Sequence, residues 1–247
     1  MVKNFWKVVN EVIVNSDIII EVLDARFADE TRNKEIEDKV LTLNKKLVYV
    51  INKCDLVNKL KLERMKQKLK PSVYVSAVKK YGTIKLLRLL NKLSAGKDKV
   101  VIGVVGYPNT GKSSVINALK GRRSASVSPV GGHTKGKQLV RISKKIYLLD
   151  SPGVYPYKEK DVVKQALISS IDYSKVKEPV MVVMDLMKRY GRNIVGYYKV
   201  KYTLDYDSVI KEIAVKFKLL RKGNEPDYER AARLILRDLQ KNRIRTG

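Results

Sequence analysis

Apolar positions recur along this chain at two spacings, one of helices and one of strands. Phe5–Val14 has helical periodicity, with Trp6 expected to pack inward. Asp17–Leu23 is an apolar, β-branched strand that ends in Asp24-Ala-Arg26. Residues 31 to 44 mix charged and apolar positions as an amphipathic helix does. Leu47–Ile51 is a second strand, running into Asn52-Lys-Cys-Asp55, and Ser72–Val75 a third, ending in Ser76-Ala77. An amphipathic helix over Ile84–Leu93 and a linker over 94–98 precede Val100–Val105, a buried strand. Gly106–Ser113 follows it, then helical turns over Ser114–Leu119. Residues 121 to 137, rich in Gly, Ser, Lys and Arg, read as a mobile loop. Leu139–Ile142 and Lys145–Leu149 read as a hairpin whose second strand ends in Asp150-Ser-Pro-Gly153.

Beyond residue 157 the pattern turns helical. Helices are expected over 161–171 and 180–188. A third, Ser208–Leu220, places Val209, Ile213 and Phe217 on an inward stripe and is stopped by Gly223. Asp227 is placed to cap the last helix. There Arg230, Arg233, Arg237 and Lys241 fall on one face, with Ala231, Leu234, Ile235 and Leu239 toward the core. The chain thus divides into an α/β domain over 1–157 and a small C-terminal helical, basic domain over 158–247.

Charge changes this picture more than composition does. Lys and Arg number 52 against 25 Asp and Glu, a formal net charge of +27. The excess is one-sided, unlike a heat-adapted surface, and points to a polyanionic partner, nucleic acid first. The basic face of that last helix is then a candidate for RNA phosphates, which need no sequence reading. One cysteine, Cys54, excludes an internal disulfide framework and fits a reducing compartment. Charges interrupt every apolar run before it reaches membrane-spanning length, and no signal-peptide layout opens the chain. A cytoplasmic, monomeric protein without a membrane partner is expected.

The chemistry centres on Gly106–Ser113, which fits the phosphate-cradling pattern G-x-x-x-x-G-K-[ST] between a strand and a helix. Gly106 and Gly111 let backbone N–H groups turn inward, and Lys112 reaches the β- and γ-phosphates while Ser113 coordinates Mg²⁺. Tyr107, Pro108, Asn109, Thr110 and Ser114 complete the nucleotide-binding loop. In Asn52-Lys-x-Asp55, a buried Asp55 carboxylate can accept from the guanine N1–H and 2-amino group, a pair of donors that adenine lacks. Asn52 would hold the other edge, the Lys53 stem would lie over the base, and Ser76 and Ala77 are short enough to let a backbone N–H approach the guanine oxygen. A hydroxyl from Thr134 could complete the Mg²⁺ shell, Asp150 could hold Mg²⁺ through water, and the Gly153 N–H could touch the γ-phosphate. Loss of that phosphate would release both loops.

This set resembles the motif set of TRAFAC-class GTPases, rotated so that the base-reading motifs precede the phosphate loop, as in the circularly permuted GTPases. Asp24-Ala-Arg26 and Leu220–Leu234 narrow the resemblance to the YlqF/YawG (RbgA-like) branch. It implies a mostly parallel sheet with helices on both faces, a helical tail, and a GTPase acting in large ribosomal subunit assembly. The partner would be that subunit or its rRNA. An alternative is an RNA-binding switch that hardly hydrolyses. Bacterial members of the branch carry a His-Met segment before the first helix, and this chain starts at the helix, so no role for such a histidine is expected. Its single histidine, His133, lies in the switch loop, and Phe27-Ala28 stand where the branch usually continues to proline. Val154 occupies the place of the usual water-orienting glutamine. Slow hydrolysis by the free protein follows, with two remedies. Asn109 is implied to help hold a K⁺ ion against the phosphates, or the ribosome orders the switch loops in trans.

Overall fold

The computed structural model describes residues 2–121, 139–149 and 161–246, with side chains from Trp6 onward. The chain forms two compact units, Met1–Lys158 (with Gly247) and Glu159–Thr246.

The first unit alternates strands and helices in chain order: α1 (Val2–Val14), β1 (Ile18–Asp24), α2 (Lys34–Thr42), β2 (Lys46–Asn52), α3 (Lys59–Lys68), β3 (Ser72–Tyr74), α4 (Thr83–Leu93), β4 (Val100–Val105), α5 (Lys112–Lys120), β5 (Leu139–Arg141) and β6 (Ile146–Leu149). Together the strands make one six-stranded sheet in the order β3-β2-β1-β4-β6-β5. Every neighbouring pair is parallel except β5 with β6, the expected hairpin. Parallel strands are covered on both faces, which is why β1 and β2 read as nearly unbroken apolar runs. Along β1 the side chains alternate. Ile19 and Leu23 join α1 and α2 residues such as Val12 and Ile36 in one cluster. Ile18, Ile20 and Val22 join Leu86 and Leu90 of α4 and Leu119 of α5 in the other.

Chain order reverses between β1 and β4: β2 and β3 are laid down on one side, β6 and β5 on the other. At such a switch point the loops leaving the two carboxyl ends diverge and leave a crevice. Here the diverging ends are Asp24 and Val105, directly ahead of Gly106.

Element boundaries shift where polar side chains take over. The helix expected over 31–44 begins at Lys34, because Asn33 caps it by accepting from the Ile36 N–H. Thr31 instead accepts from the Asp24 N–H at 3.1 Å and donates to Phe27 O at 2.7 Å. The pattern did not announce α3, which is densely charged and buries only Leu62.

The second unit holds α6 (Val162–Leu167), α7 (Pro179–Tyr198), α8 (Tyr206–Lys216) and α9 (Tyr228–Gln240). α6 stops short of Ile171 because Ser169 turns left-handed, φ 58°. α7 runs a full 20 residues, well past Lys188. Gly191, a poor helix former, is accommodated where Tyr202 packs close: a Cβ there would stand 3.2 Å from its ring. The expected stripe on α8 is half right. Val209 and Ile213 are buried, but Phe217 is 45% exposed, because the helix has ended at Lys216. Gly223 does not stop that helix. It sits with φ 87° in a tight turn closed by the Leu220–Pro226 bridge. Asp227 does cap α9, accepting from the Arg230 N–H at 3.0 Å.

Candidate nucleotide-binding site

β4 delivers the chain into Gly106–Ser113 at the switch point, and two glycines make that loop feasible. Gly106 has φ 140° and passes so close over β1 that a Cβ would stand 2.5 Å from Val22 O. Gly111 has φ 94°, and a Cβ there would meet Asn52 Nδ2 at 2.2 Å. Substitution at either position forces apart two segments that must touch.

Asn52 joins three motifs. Its Nδ2 donates to Thr110 O of the phosphate loop at 2.8 Å, and its Oδ1 accepts from the Ala77 N–H at 3.2 Å. The buried amide therefore fastens the end of β2 to the phosphate loop on one side and to Ser76-Ala77 on the other. Ser76 Oγ in turn accepts from the Lys79 N–H at 3.2 Å. Within the phosphate loop, Thr110 Oγ1 donates to Tyr107 O at 2.9 Å.

Lys53 adopts a left-handed backbone, φ 60°, and its Nζ donates to Asn109 O at 2.6 Å and to Asp24 Oδ2 at 2.7 Å. Asp24 also accepts from Arg26 Nη2 at 2.6 Å and Nε at 3.0 Å. Burial alone would raise the Asp24 carboxyl, but Arg26 and then Lys53 hold it below the usual carboxylate range. Burial pulls Lys53 below the ordinary lysine value, although Asp24 opposes the shift. The role of Asp24 as an anchor for Lys53 had no counterpart in the sequence pattern beyond an acid at a strand's carboxyl end. Asp55 lies at the surface with its side chain 20% exposed and its carboxylate 3.9 Å from Lys79 Nζ.

Lys112 is buried and lies back along the loop, donating to Gly106 O at 2.8 Å and Tyr107 O at 2.6 Å. Burial pushes its ammonium down to about 8. A buried cation held by carbonyls alone is strongly favoured by an anion. α5 offers the place for one: Gly111 caps it without a side chain, so its first N–H groups are directed at the loop. Pro108, Asn109, Gly111, Lys112, Ser113 and Ser114 line a cavity of about 360 Å³ there. A wider basin, about 760 Å³, lies against Lys97, Ser143 and Lys145 at the amino end of β4, away from every motif. Thr134, His133, Asp150, Gly153 and Val154 lie outside the described residues.

The four basic residues of α9 are placed differently from one another. Arg230 and Lys241 are exposed. Arg233 donates to Tyr173 O at 3.0 Å and Ser174 O at 2.7 Å and pairs with Glu229. Arg237 meets the buried Asp238 at 3.2 Å.

Residues 101–216 match the family model described as a 50S ribosome-binding GTPase. An uncharacterized GTP-binding protein of Methanocaldococcus jannaschii is 39% identical over 96% of this chain and 65% of its own length. Nucleolar GTP-binding protein 2 of Saccharomyces cerevisiae is 34% identical over 98% of this chain and 52% of its own. The crystal structure of GNP-bound YlqF from T. maritima shares the fold, with a TM-score of 0.69 at 22% identity, covering 98% of this chain and 96% of that one. With the Asn52–Asp55 strand end ahead of the phosphate loop, the chain has the fold of a circularly permuted GTPase. It spans about half the length of its nucleolar relatives.

Proposed function

We propose that the protein binds and hydrolyses GTP and acts in assembly of the large ribosomal subunit. The observation that carries the nucleotide half of this reading is Asn52, whose one amide ties the guanine-reading loop to the phosphate loop and to Ser76-Ala77. A base and a triphosphate held by such a frame are fixed relative to each other before chemistry begins. The ribosomal half is supported by the matched family's description and by the positive charge of the chain.

In this reading Asp55, Asn52 and Ala77 read guanine, and Lys53 carries the base. Lys112 turns from the loop carbonyls onto the β- and γ-phosphates, aided by the first N–H groups of α5. Ser113 beside it suits Mg²⁺, with Thr134 and Asp150 completing the shell, and that ion would offset the phosphate charge. Gly153 meets the γ-phosphate. Val154 cannot hydrogen-bond water, so the free protein turns over slowly. Asn109 sits in the loop with φ 58°, a position from which it would help hold K⁺ against the phosphates. The protein works as a monomer in the cytoplasm, and no described helix is long and apolar enough to cross a membrane. A second reading, a nucleotide-dependent RNA-binding switch with little hydrolysis, is favoured by the same valine.

Phosphate release measured in K⁺ and in Na⁺, with large and small subunits added in turn, separates the two. The enzyme reading expects K⁺ stimulation that Asn109→Ala removes, and further stimulation by large subunits. Nucleotide-dependent subunit binding with no stimulated turnover would support the switch instead. Fast turnover in Na⁺ without ribosomes would transfer water activation to another group, His133 first.

A further inference from the structure

The helical unit carries aromatic surface that its own core does not use. The buried Tyr198 ring meets Tyr197 and Phe217 edge-on, with centroids 4.9 and 5.3 Å away. Those two outer rings are 42% and 45% exposed, and nearby Tyr202 is 42% exposed. Arg192 lies over the Tyr202 ring, 5.8 Å from its centre. The segment joining α7 to α8 is bound down across α8: Lys216 Nζ donates to Lys199 O at 2.7 Å, and the Lys201 N–H reaches the Glu212 carboxylate at 3.3 Å. The end of α7, this segment and the outer side of α8 thus form one continuous face.

Its charge is lopsided. Residues 199–222 hold seven Lys and Arg against three Asp and Glu. Two of the three acids are engaged locally, Asp205 capping α8 through Ser208 and Glu212 accepting from Lys201. By contrast, residues 225–241 hold four basic and four acidic side chains, and Arg233 and Arg237 serve internal contacts. Protein–protein interfaces take up aromatics but are depleted in lysine. Surfaces for single-stranded nucleic acid combine exposed rings with a dense run of lysine and arginine.

We propose that the α7–α8 face binds RNA, with its lysines on phosphates and Tyr197, Tyr202 and Phe217 as platforms for unpaired bases. The proposal rests on the ribosomal reading above and moves the RNA contact from α9 to this face. Recognition of this kind favours single-stranded loops over duplex, because only unpaired bases stack on a ring.

The test is salt-dependent binding of the full chain to large subunits, to poly(U) and to duplex RNA. Tyr202→Leu with Phe217→Leu keeps apolar volume but removes stacking, and should weaken poly(U) binding about tenfold with little change on duplex. Lys199→Glu, Lys201→Glu and Lys218→Glu together should weaken all three and flatten the salt dependence. Circular dichroism checks that each variant folds, and Arg230→Glu on α9 is the control, expected to bind like wild type. Losses confined to Arg230→Glu would overturn the assignment and return the contact to α9. Unchanged RNA binding with altered self-association in sedimentation would give the face to protein and overturn it as well. A wild-type chain that binds neither subunits nor RNA would instead end the ribosomal reading itself.

Discussion

Both units tie distant segments together with polar side chains, the first between loops and the second between helices. In the phosphate-loop unit they reach across the sequence: Lys53 to Asp24 and Asn109, Asn52 to Ala77 and Thr110. Each contact joins loops from different strands, and together they fix the corner of the proposed nucleotide site. In the helical unit the deepest polar cluster is Asp238, which accepts from Tyr198 OH at 2.9 Å and from Arg243 Nη1 at 3.0 Å. That cluster locks α7 to α9 and leaves most of the positive charge outside. A ligand that must be oriented needs a preorganised frame. A polyanion needs charge density and, for unpaired bases, rings.

The comparison breaks most sharply at Lys112. Lys112→Ala should weaken GTP binding about 100-fold or more, through the loss of a charge-assisted phosphate contact. RNA binding in the absence of nucleotide should be untouched. A fluorescent-nucleotide titration beside an RNA titration reads both.

On the other side, Asp238→Ala should destabilise the helical unit by about 2 kcal/mol, because it strands the buried Tyr198 hydroxyl and two half-exposed arginines. Tyr198→Phe should cost about 1 kcal/mol. Urea unfolding measures both, and GTP affinity below the transition should not change. An equal loss of GTP affinity would blur the division drawn here.

The protonation of Lys112 sharpens the same contrast. Its ammonium sits at about 8 instead of the ordinary 10.5, so the free protein discharges it above pH 8. GTP affinity should fall about tenfold from pH 7 to pH 9. Lys112→Arg, whose charge does not titrate, should flatten that profile. Stability of the nucleotide-free protein moves the other way. Between the two values the unfolded chain holds the extra proton, so stability rises with pH. A flat wild-type affinity profile would mean that Lys112 is not the phosphate contact.

The smallest effect is expected at Glu21, fully buried on β1, where its Oε1 accepts from the Asn33 N–H at 2.8 Å. Burial, helped by the neighbouring Glu37, raises its carboxyl well above the usual range. A raised acid stabilises the fold below its unfolded value and loses that contribution as pH climbs toward the folded one. Glu21→Gln should therefore change stability by less than about 1 kcal/mol near pH 5 and hold it better than wild type at alkaline pH. Thermal melts across pH decide this. A large loss in the glutamine variant at every pH would mean that the carboxylate, not the acid, is the native form.

Legibility in the sequence follows the same division. The phosphate loop and Asn52–Asp55 were readable because Gly106 and Gly111 stand where no side chain fits and Asn52 where one amide serves three segments. The strands of the sheet were readable because a sheet covered on both faces forces apolar runs. Asp24 was visible as a motif without a role, since its partner Lys53 lies 29 residues away and only folding brings them together. In the helical unit, periodicity separated inside from outside but could not tell which outside face binds. Arg233 looks like a surface charge in sequence and proves to be a fastener for the Tyr173–Ser174 turn. Phe217 looks like core and faces water, because a helix end is set by backbone geometry at Lys218, φ 53°, that the stripe does not encode.

The central claim is that this corner reads guanine together with a triphosphate. Competition binding of GTP, ATP and XTP to wild type and to Asp55→Asn tests it most directly. The account predicts that wild type prefers GTP over ATP by at least about 100-fold, and that Asp55→Asn loses GTP while gaining XTP, because the amide reverses one donor–acceptor relation. Equal binding of ATP and GTP by wild type, or an Asp55→Asn protein with unchanged preference, would contradict it.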